Sequence, residues 1–180
     1  MKKVILLIIM IVAVFIVVIN SKYILKKIYK TDYSEYVEKY SKEKNIDSLL
    51  VYSIIKAESN FKEKATSNKG ASGLMQLMDG TAREVAENVV MEYESGSTLY
   101  NPEKNIKLGI YYYASLKKQF GNDEMALAAY NAGSGNVSKW ISDGTLKSDG
   151  SDIENIPYKE TNMYVRKILR DYEIYKKLYK

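Results

Sequence analysis

The chain has 180 residues with 27 Lys and Arg, 22 Asp and Glu, no His and no Cys. That length suits one domain plus an accessory segment. The missing Cys and His exclude disulfides, thiol nucleophiles, Ser-His-Asp triads and most zinc sites, so any catalysis falls to carboxylates, Tyr and Ser or Thr. The net charge of +5 is unevenly placed: Lys2, Lys3, Lys22, Lys26, Lys27 and Lys30 lie in the first 31 residues, which hold no acid. Residues 32–180 therefore carry 21 basic and 22 acidic side chains, a net of −1. A nucleic-acid-binding domain carries its own basic footprint, so no nucleic-acid partner is expected.

The first element is an unbroken apolar run, Val4 to Ile19, of 16 residues. As a helix it reaches about 24 Å, slightly short of a bilayer core of about 30 Å. Snorkelling of Lys2, Lys3 and Lys22, or local thinning of the bilayer, is expected to cover the difference. A cleaved signal peptide is the rival reading, but the run ends "VVINSKYILKK" with no small-residue cleavage site. Residues 1–21 are read as an uncleaved signal anchor in the cytoplasmic membrane, 22–31 as a Lys-rich juxtamembrane linker and 32–180 as the folded domain. Charge alone leaves the orientation open, because Lys lies on both sides of the run.

Beyond residue 31 the pattern is helical throughout. Asp32 and Glu35 have capping-box spacing ahead of Tyr33, Tyr36, Val37 and Tyr40. Asp47 is placed to cap a helix in which Leu50, Ile54 and Glu58 share one face. Residues 59–73 read as loop, punctuated by Asn60, Asn68, Gly70 and Gly73. Thr81 and Glu84 suggest a second capping box for a helix toward Val90. Asn101-Pro102 starts a helix that Gly121 stops, and "DEMALAAYNAG" is a short, nearly wholly apolar helix ending at Gly133. "GNVSKW" adds a turn or two, residues 142–152 read as a polar, Gly-rich loop, and the last helix carries the stripe Tyr164, Val165, Ile168, Tyr172, Tyr175, Tyr179. No period-2 strand stands out, so the fold class is mainly α.

Within this pattern Glu58 is anomalous. It falls on the face that Leu50 and Ile54 mark as buried, near the C-terminal end of its helix. Desolvation and the negative helix end both raise a carboxyl pKa, which suits a general acid. The plain alternative is a Glu at a frayed helix end reaching into water. Gln76, flanked by apolar residues, needs a polar partner such as a sugar hydroxyl or N-acetyl group. Tyr130 and Asn131 end a buried helix just before Gly133-Ser134-Gly135, an arrangement suited to a cleft.

Five segments, "AESNF", "GASGLMQLM" with "TA", "NPEKNIKLG", "ALAAYNAGSGNV" and "IPYKETNMYV", together resemble the lytic transglycosylase family, soluble type, with the lysozyme-like fold related to goose-type lysozyme. The resemblance runs from about Asp47 to the last helix. It implies a lysozyme-like helical domain that acts on peptidoglycan glycan strands, with Glu58 as the catalytic acid/base. It also implies that Gln76 and Met78 line sugar subsites, that Tyr130 and Asn131 flank the glycosidic bond, and that Tyr164 supports the acid. Ser72, between glycines, is expected to face the cleft. No metal or cofactor is implied, and the domain is placed outside the membrane as a single-pass protein. Asp79 stands where the family commonly has Pro, and is read either as a helix-start acid or as an additional cleft carboxylate.

The implied reaction uses one carboxylate and no water, and closes a 1,6-anhydro ring on N-acetylmuramic acid. Two alternatives stay open. One is a hydrolytic muramidase that recruits Asp79, Glu63 or another acid. The other is a catalytically silent wall-binding component of a secretion or conjugation machine, against which the intact Glu58 argues.

Overall fold

The computed structural model describes residues 2–180; Met1 and the side chains of Lys2, Lys3, Leu6, Val18 and Ile19 lie outside the description. The snorkelling expected of Lys2 and Lys3 therefore lies outside the described residues. Among the described residues nine α-helices follow one another: α1 Lys2–Ile28, α2 Ser34–Lys44, α3 Ser48–Glu58, α4 Asp79–Asn88, α5 Ser97–Tyr100, α6 Pro102–Phe120, α7 Asp123–Ala132, α8 Ser134–Ser142 and α9 Lys159–Tyr179. A single 3₁₀ turn, Ile153–Asn155, precedes α9. Among the described residues, extended pairing is confined to two isolated bridges, Thr66 with Ser72 and Ser72 with Leu77.

Sequence explains where most helices begin and stop. The Asp47 carboxylate accepts the Leu49 N–H at 2.9 Å and caps α3. Asn101 accepts the Lys104 N–H at 3.0 Å, with Pro102 at the first helical position, so α6 starts as its sequence directs. Gly121 ends α6 in the left-handed region at φ 83. Neither expected capping box forms. Tyr33, not Asp32, stands at the N-cap of α2 with φ 62, and Asp32 instead pairs with Lys30 at 3.7 Å. Helix α4 begins at Asp79, two residues before Thr81, because Met78 supplies an extended N-cap backbone.

Helix α3 is the core's centre: Leu49 through Ile55 are all buried, and α9 and α2 pack on it. Each such aliphatic side chain contributes about 1.5–3 kcal/mol of transfer free energy. The α9 stripe buries Val165, Ile168 and Tyr175 and includes one unanticipated acid, Asp171. A second, smaller apolar cluster of Leu77, Ala82, Val85, Ala86, Leu99 and Leu108 joins α4 and α5 to α6. The irregular stretch 59–78 leaves the end of α3 and returns to the start of α4.

At the N-terminus, α1 continues without interruption through the Lys-rich stretch to Ile28. Its Leu7–Ile28 segment, of mean hydropathy 2.5, is long and apolar enough to cross a membrane by length and composition, and none of its described side chains is buried against the domain.

Candidate active site

Glu58 is the last residue of α3, and the chain turns sharply after it. Asn60 and Phe61 both take left-handed φ values, 49° and 63°, a conformation that costs a non-glycine residue about 1–2 kcal/mol. Burial of the Phe61 ring offsets that cost and pins the turn. The Tyr164 hydroxyl, from the second turn of α9, donates to Glu58 Oε1 at 2.5 Å. Burial pushes the Glu58 carboxyl up to about 7; the Tyr164 hydrogen bond and the Lys167 ammonium pull the other way and are outweighed. Burial also lifts the Tyr130 and Tyr164 phenols well above their usual range, with Glu58 reinforcing the effect, so both stay protonated donors.

The opposite wall is the 59–78 stretch, and Asn105 of α6 holds it in place. Its fully buried amide accepts the Met75 N–H at 2.8 Å and donates to the carbonyls of Ser72 at 3.0 Å and Leu99 at 2.9 Å. Gly73 is required at this crossing: its φ is +82°, and a Cβ there would lie 2.1 Å from the Leu99 carbonyl oxygen. Gln76 adopts φ 46, and its amide nitrogen donates to the carbonyls of Ala65 at 3.0 Å and Gly73 at 2.9 Å. The Met75 carbonyl accepts the Tyr130 hydroxyl at 2.8 Å, which fixes that ring at the cleft. Gly109 leaves room on α6 for Met75, whose sulfur would lie 2.3 Å from an added Cβ.

Two connected depressions open at Glu58. One, of about 400 Å³, is lined by Glu58, Gln76, Met78, Tyr130 and Asn131, together with Ser67, Asn68, Lys69, Ala71 and Glu160. The other, of about 790 Å³, shares Glu58, Asn131 and Glu160 and runs along α9 past Tyr164 and Met163, with Lys159, Arg166, Lys167 and Arg170 on its wall. Asn131 is oriented by the Thr161 hydroxyl, which donates to Asn131 Oδ1 at 2.7 Å. A separate depression of about 690 Å³ between α4, α6 and the start of α8 contains neither Glu58 nor Tyr164.

Gln76, Met78, Tyr130, Asn131 and Tyr164 thus gather around Glu58, and Ser72 does not. Its hydroxyl is buried, within 3.4 Å of the Gly70 carbonyl and 3.5 Å of the Tyr100 hydroxyl. Its backbone exchanges hydrogen bonds with Leu77 at 2.9 and 3.1 Å, and that pairing turns the side chain from the cleft. Asp79 follows the helix-start reading. It accepts from Tyr93 at 2.7 Å, Ser95 at 2.5 Å and Arg83 at 3.4 Å, and these bonds hold its carboxyl below the usual range. It lines neither depression at Glu58.

Sequence reasoning assigned no role to Asn105, Ser67 or Glu160. Asn105 had a legible signal, as the polar member of the 105, 108, 109 and 112 face of an otherwise apolar helix side. Ser67 was hidden in an apparent turn, where its hydroxyl accepts the Ala71 N–H at 3.0 Å. Glu160, exposed, faces Lys69 across the smaller depression at 3.7 Å. Among the described residues no group of three or more acidic side chains offers a metal site.

Residues 35–151 match the family described as the transglycosylase SLT domain. The soluble lytic murein transglycosylase of Salmonella typhimurium is 36% identical over 140 residues, 76% of this chain and 22% of that protein. Membrane-bound lytic murein transglycosylase C of Edwardsiella ictaluri is 32% identical over 120 residues, 61% of this chain and 33% of its own length. The crystal structure of the 70 kDa soluble lytic transglycosylase of Escherichia coli superposes with a TM-score of 0.78 at 34% identity, covering 85% of this chain and 25% of that one. The chain therefore spans between about a fifth and a third of the length of these relatives. The match covers most of the domain, and the solved structure shares its lysozyme-like helical fold: the chain belongs to the transglycosylase SLT domain family.

Proposed function

We propose that this protein is a membrane-anchored lytic transglycosylase that cleaves peptidoglycan between N-acetylmuramic acid and N-acetylglucosamine and leaves a 1,6-anhydro end. The observation that carries the reading is the buried Glu58 carboxyl, pushed up to about 7 and hydrogen-bonded at one oxygen by Tyr164. With Oε1 engaged by the phenol, Oε2 is the oxygen that carries the transferable proton. Protonated Glu58 gives this proton to the glycosidic oxygen, the bond to the muramic C1 breaks, and the sugar's 2-acetamido group stabilises the cationic carbon. The Glu58 carboxylate then takes the proton from the same sugar's 6-hydroxyl, whose oxygen bonds to C1. The acid is regenerated and no water is consumed.

Three further features support the reading. Tyr130 and Asn131 are held rigidly beside Glu58, as a positioned sugar requires. The four cations along the larger depression suit the carboxylates of peptide stems borne by muramic acid. Helix α1 has the length and apolarity of an anchor, and a membrane-bound relative shares the domain.

One observation favours the hydrolytic alternative enough to keep it: Glu160 lines both depressions with Glu58. It is 75% exposed and paired with Lys69, which leaves it a poor candidate for a dry nucleophile or a water-activating base. The test is Glu58→Gln beside Glu160→Gln. We expect Glu58→Gln to stay folded and lose about 10²–10⁴ in turnover, while Glu160→Gln keeps the wild-type reaction. Wild-type turnover in Glu58→Gln contradicts the assignment of the acid. Loss of turnover in Glu160→Gln comparable to that of Glu58→Gln favours the two-carboxylate route.

A further inference from the structure

The chemistry at Glu58 leaves unused the most deeply buried of the other carboxylates, Asp171. The Asp171 side chain in α9 is 1% exposed. It accepts the Lys56 ammonium at 2.9 Å on one oxygen and the Tyr29 hydroxyl at 3.2 Å on the other. Lys56 precedes Glu58 by two residues on α3, Asp171 follows Tyr164 by seven on α9, and Tyr29 is the first residue beyond α1. Helices α3 and α9 and the exit of α1 therefore meet on one carboxylate, two helical turns along α9 from Tyr164.

The rest of the joint is equally closed. The Tyr29 ring is 8% exposed and meets Tyr175 edge-on at 5.3 Å, with the Lys56 ammonium 4.4 Å from its centre. Tyr175 donates its hydroxyl to the Lys30 carbonyl at 2.6 Å, and Tyr179 donates to the Tyr29 carbonyl at 2.7 Å. The Lys26 ammonium lies 5.0 Å over the Tyr179 ring. Pulling α1 away would expose two rings and break Tyr29 from a buried ion pair, whose members are costly to leave partly unpaired. No Gly or Pro occurs before Gly70, so neither α1 nor its exit contains an obvious hinge residue.

We infer that α1 and the catalytic domain form one rigid body through the Tyr29–Asp171–Lys56 joint, which holds the Glu58 cleft at a fixed height over the bilayer and directs it to the glycan strands nearest the membrane. The height part rests on the anchor reading of α1; the rigidity does not. From Asn20, at the end of the apolar run, to Tyr29 is about 14 Å of helix, and from Asp171 to Tyr164 about 10 Å. With roughly 10 Å across the side chains of the joint, the cleft lies within about 35 Å of the hydrocarbon edge.

The chain has no Cys, so Lys22→Cys and Glu154→Cys place two nitroxide labels uniquely, one on α1 and one in the 3₁₀ turn that precedes α9. Dipolar electron resonance on the full-length protein, in detergent and in vesicles of phosphatidylglycerol and phosphatidylcholine, reads the distance between them. The expected result is one narrow peak within about 50 Å in both media. A broad distribution overturns the rigid joint. Tyr29→Ala is expected to broaden the peak. Should that variant fail to fold, Tyr175→Phe with Tyr179→Phe removes only the two hydroxyls that hold the end of α1, and the same broadening is expected. An unbroadened peak in a folded variant overturns the assignment of the joint. Flotation with the vesicles is scored separately: protein that does not float contradicts the anchor reading alone, while the distance in detergent still decides the joint.

Discussion

Replacing Glu58 by Gln is expected to make the protein more stable, and only above the acidic range. Glu58 has an ordinary carboxyl value of 4.5 when exposed and about 7 in the folded protein, because burial disfavours its charged form. The folded state thus binds the proton more tightly than the unfolded state. The contribution of Glu58 is fully present below about pH 4.5 and is lost as pH rises through about 7. A difference of roughly 2.5 pH units corresponds to about 3 kcal/mol at pH 8.5, the upper bound for burying the ionised carboxylate. Gln keeps the shape and carries no charge, so this penalty disappears. For a domain of about 150 residues, 3 kcal/mol amounts to roughly 6–12 °C in Tm. Thermal unfolding of wild type and Glu58→Gln, in the same detergent at pH 4 and pH 8.5, measures it. The expected result is a Tm gain for the variant at pH 8.5 that shrinks toward zero at pH 4. An equal difference at both pH values, or a loss at pH 8.5, would refute the claim that burial raises this carboxyl.

Activity should fall above about pH 7 as Glu58 loses its proton. Tyr164→Phe removes a hydrogen bond that lowers the Glu58 value, so the alkaline limb of the pH–rate profile should move to higher pH while kcat drops by about tenfold or more; a limb that stays in place contradicts the contact. Gly109→Ala drives a methyl into Met75, whose carbonyl holds Tyr130, and should cost about 1–3 kcal/mol by denaturant unfolding and lower turnover together; an unchanged melt and rate would show that Met75 repacks freely. Arg166→Ala with Arg170→Ala should raise KM several-fold for peptide-bearing glycan and hardly at all for strands stripped of peptide, with kcat kept; equal effects on both substrates would remove the stems from that groove.

The helical architecture was legible because apolar residues recur at helical spacing and because Asp47, Asn101-Pro102 and Gly121 act through local chemistry. The two capping boxes failed for reasons a sequence window does not contain. Residue 32 is drawn to Lys30, and the start of α4 is set by how the 59–78 stretch delivers Met78. Glu58 stood out as a carboxylate on an apolar face, and the structure supplies the tyrosine that meets it, 106 residues away in the chain. Ser72 misled because a small polar residue between glycines reads as exposed, whereas long-range backbone pairing with Leu77 and the Asn105 amide turned it inward. The Lys-rich stretch 22–31 read as a separate linker by charge. Nothing local announced that Tyr29 would find Asp171 across 142 residues.

The central claim is a one-acid reaction that closes a ring, and the products report it directly. Intact peptidoglycan is digested with the full-length protein in ¹⁸O-labelled water, and the released muropeptides are reduced with borohydride and weighed by mass spectrometry. The account predicts fragments lighter by one water than hydrolytic products, without ¹⁸O and resistant to reduction, because the 1,6-anhydro ring leaves no free reducing end. Reducible ends carrying ¹⁸O throughout, with no anhydro species, would contradict it and make the protein a hydrolase.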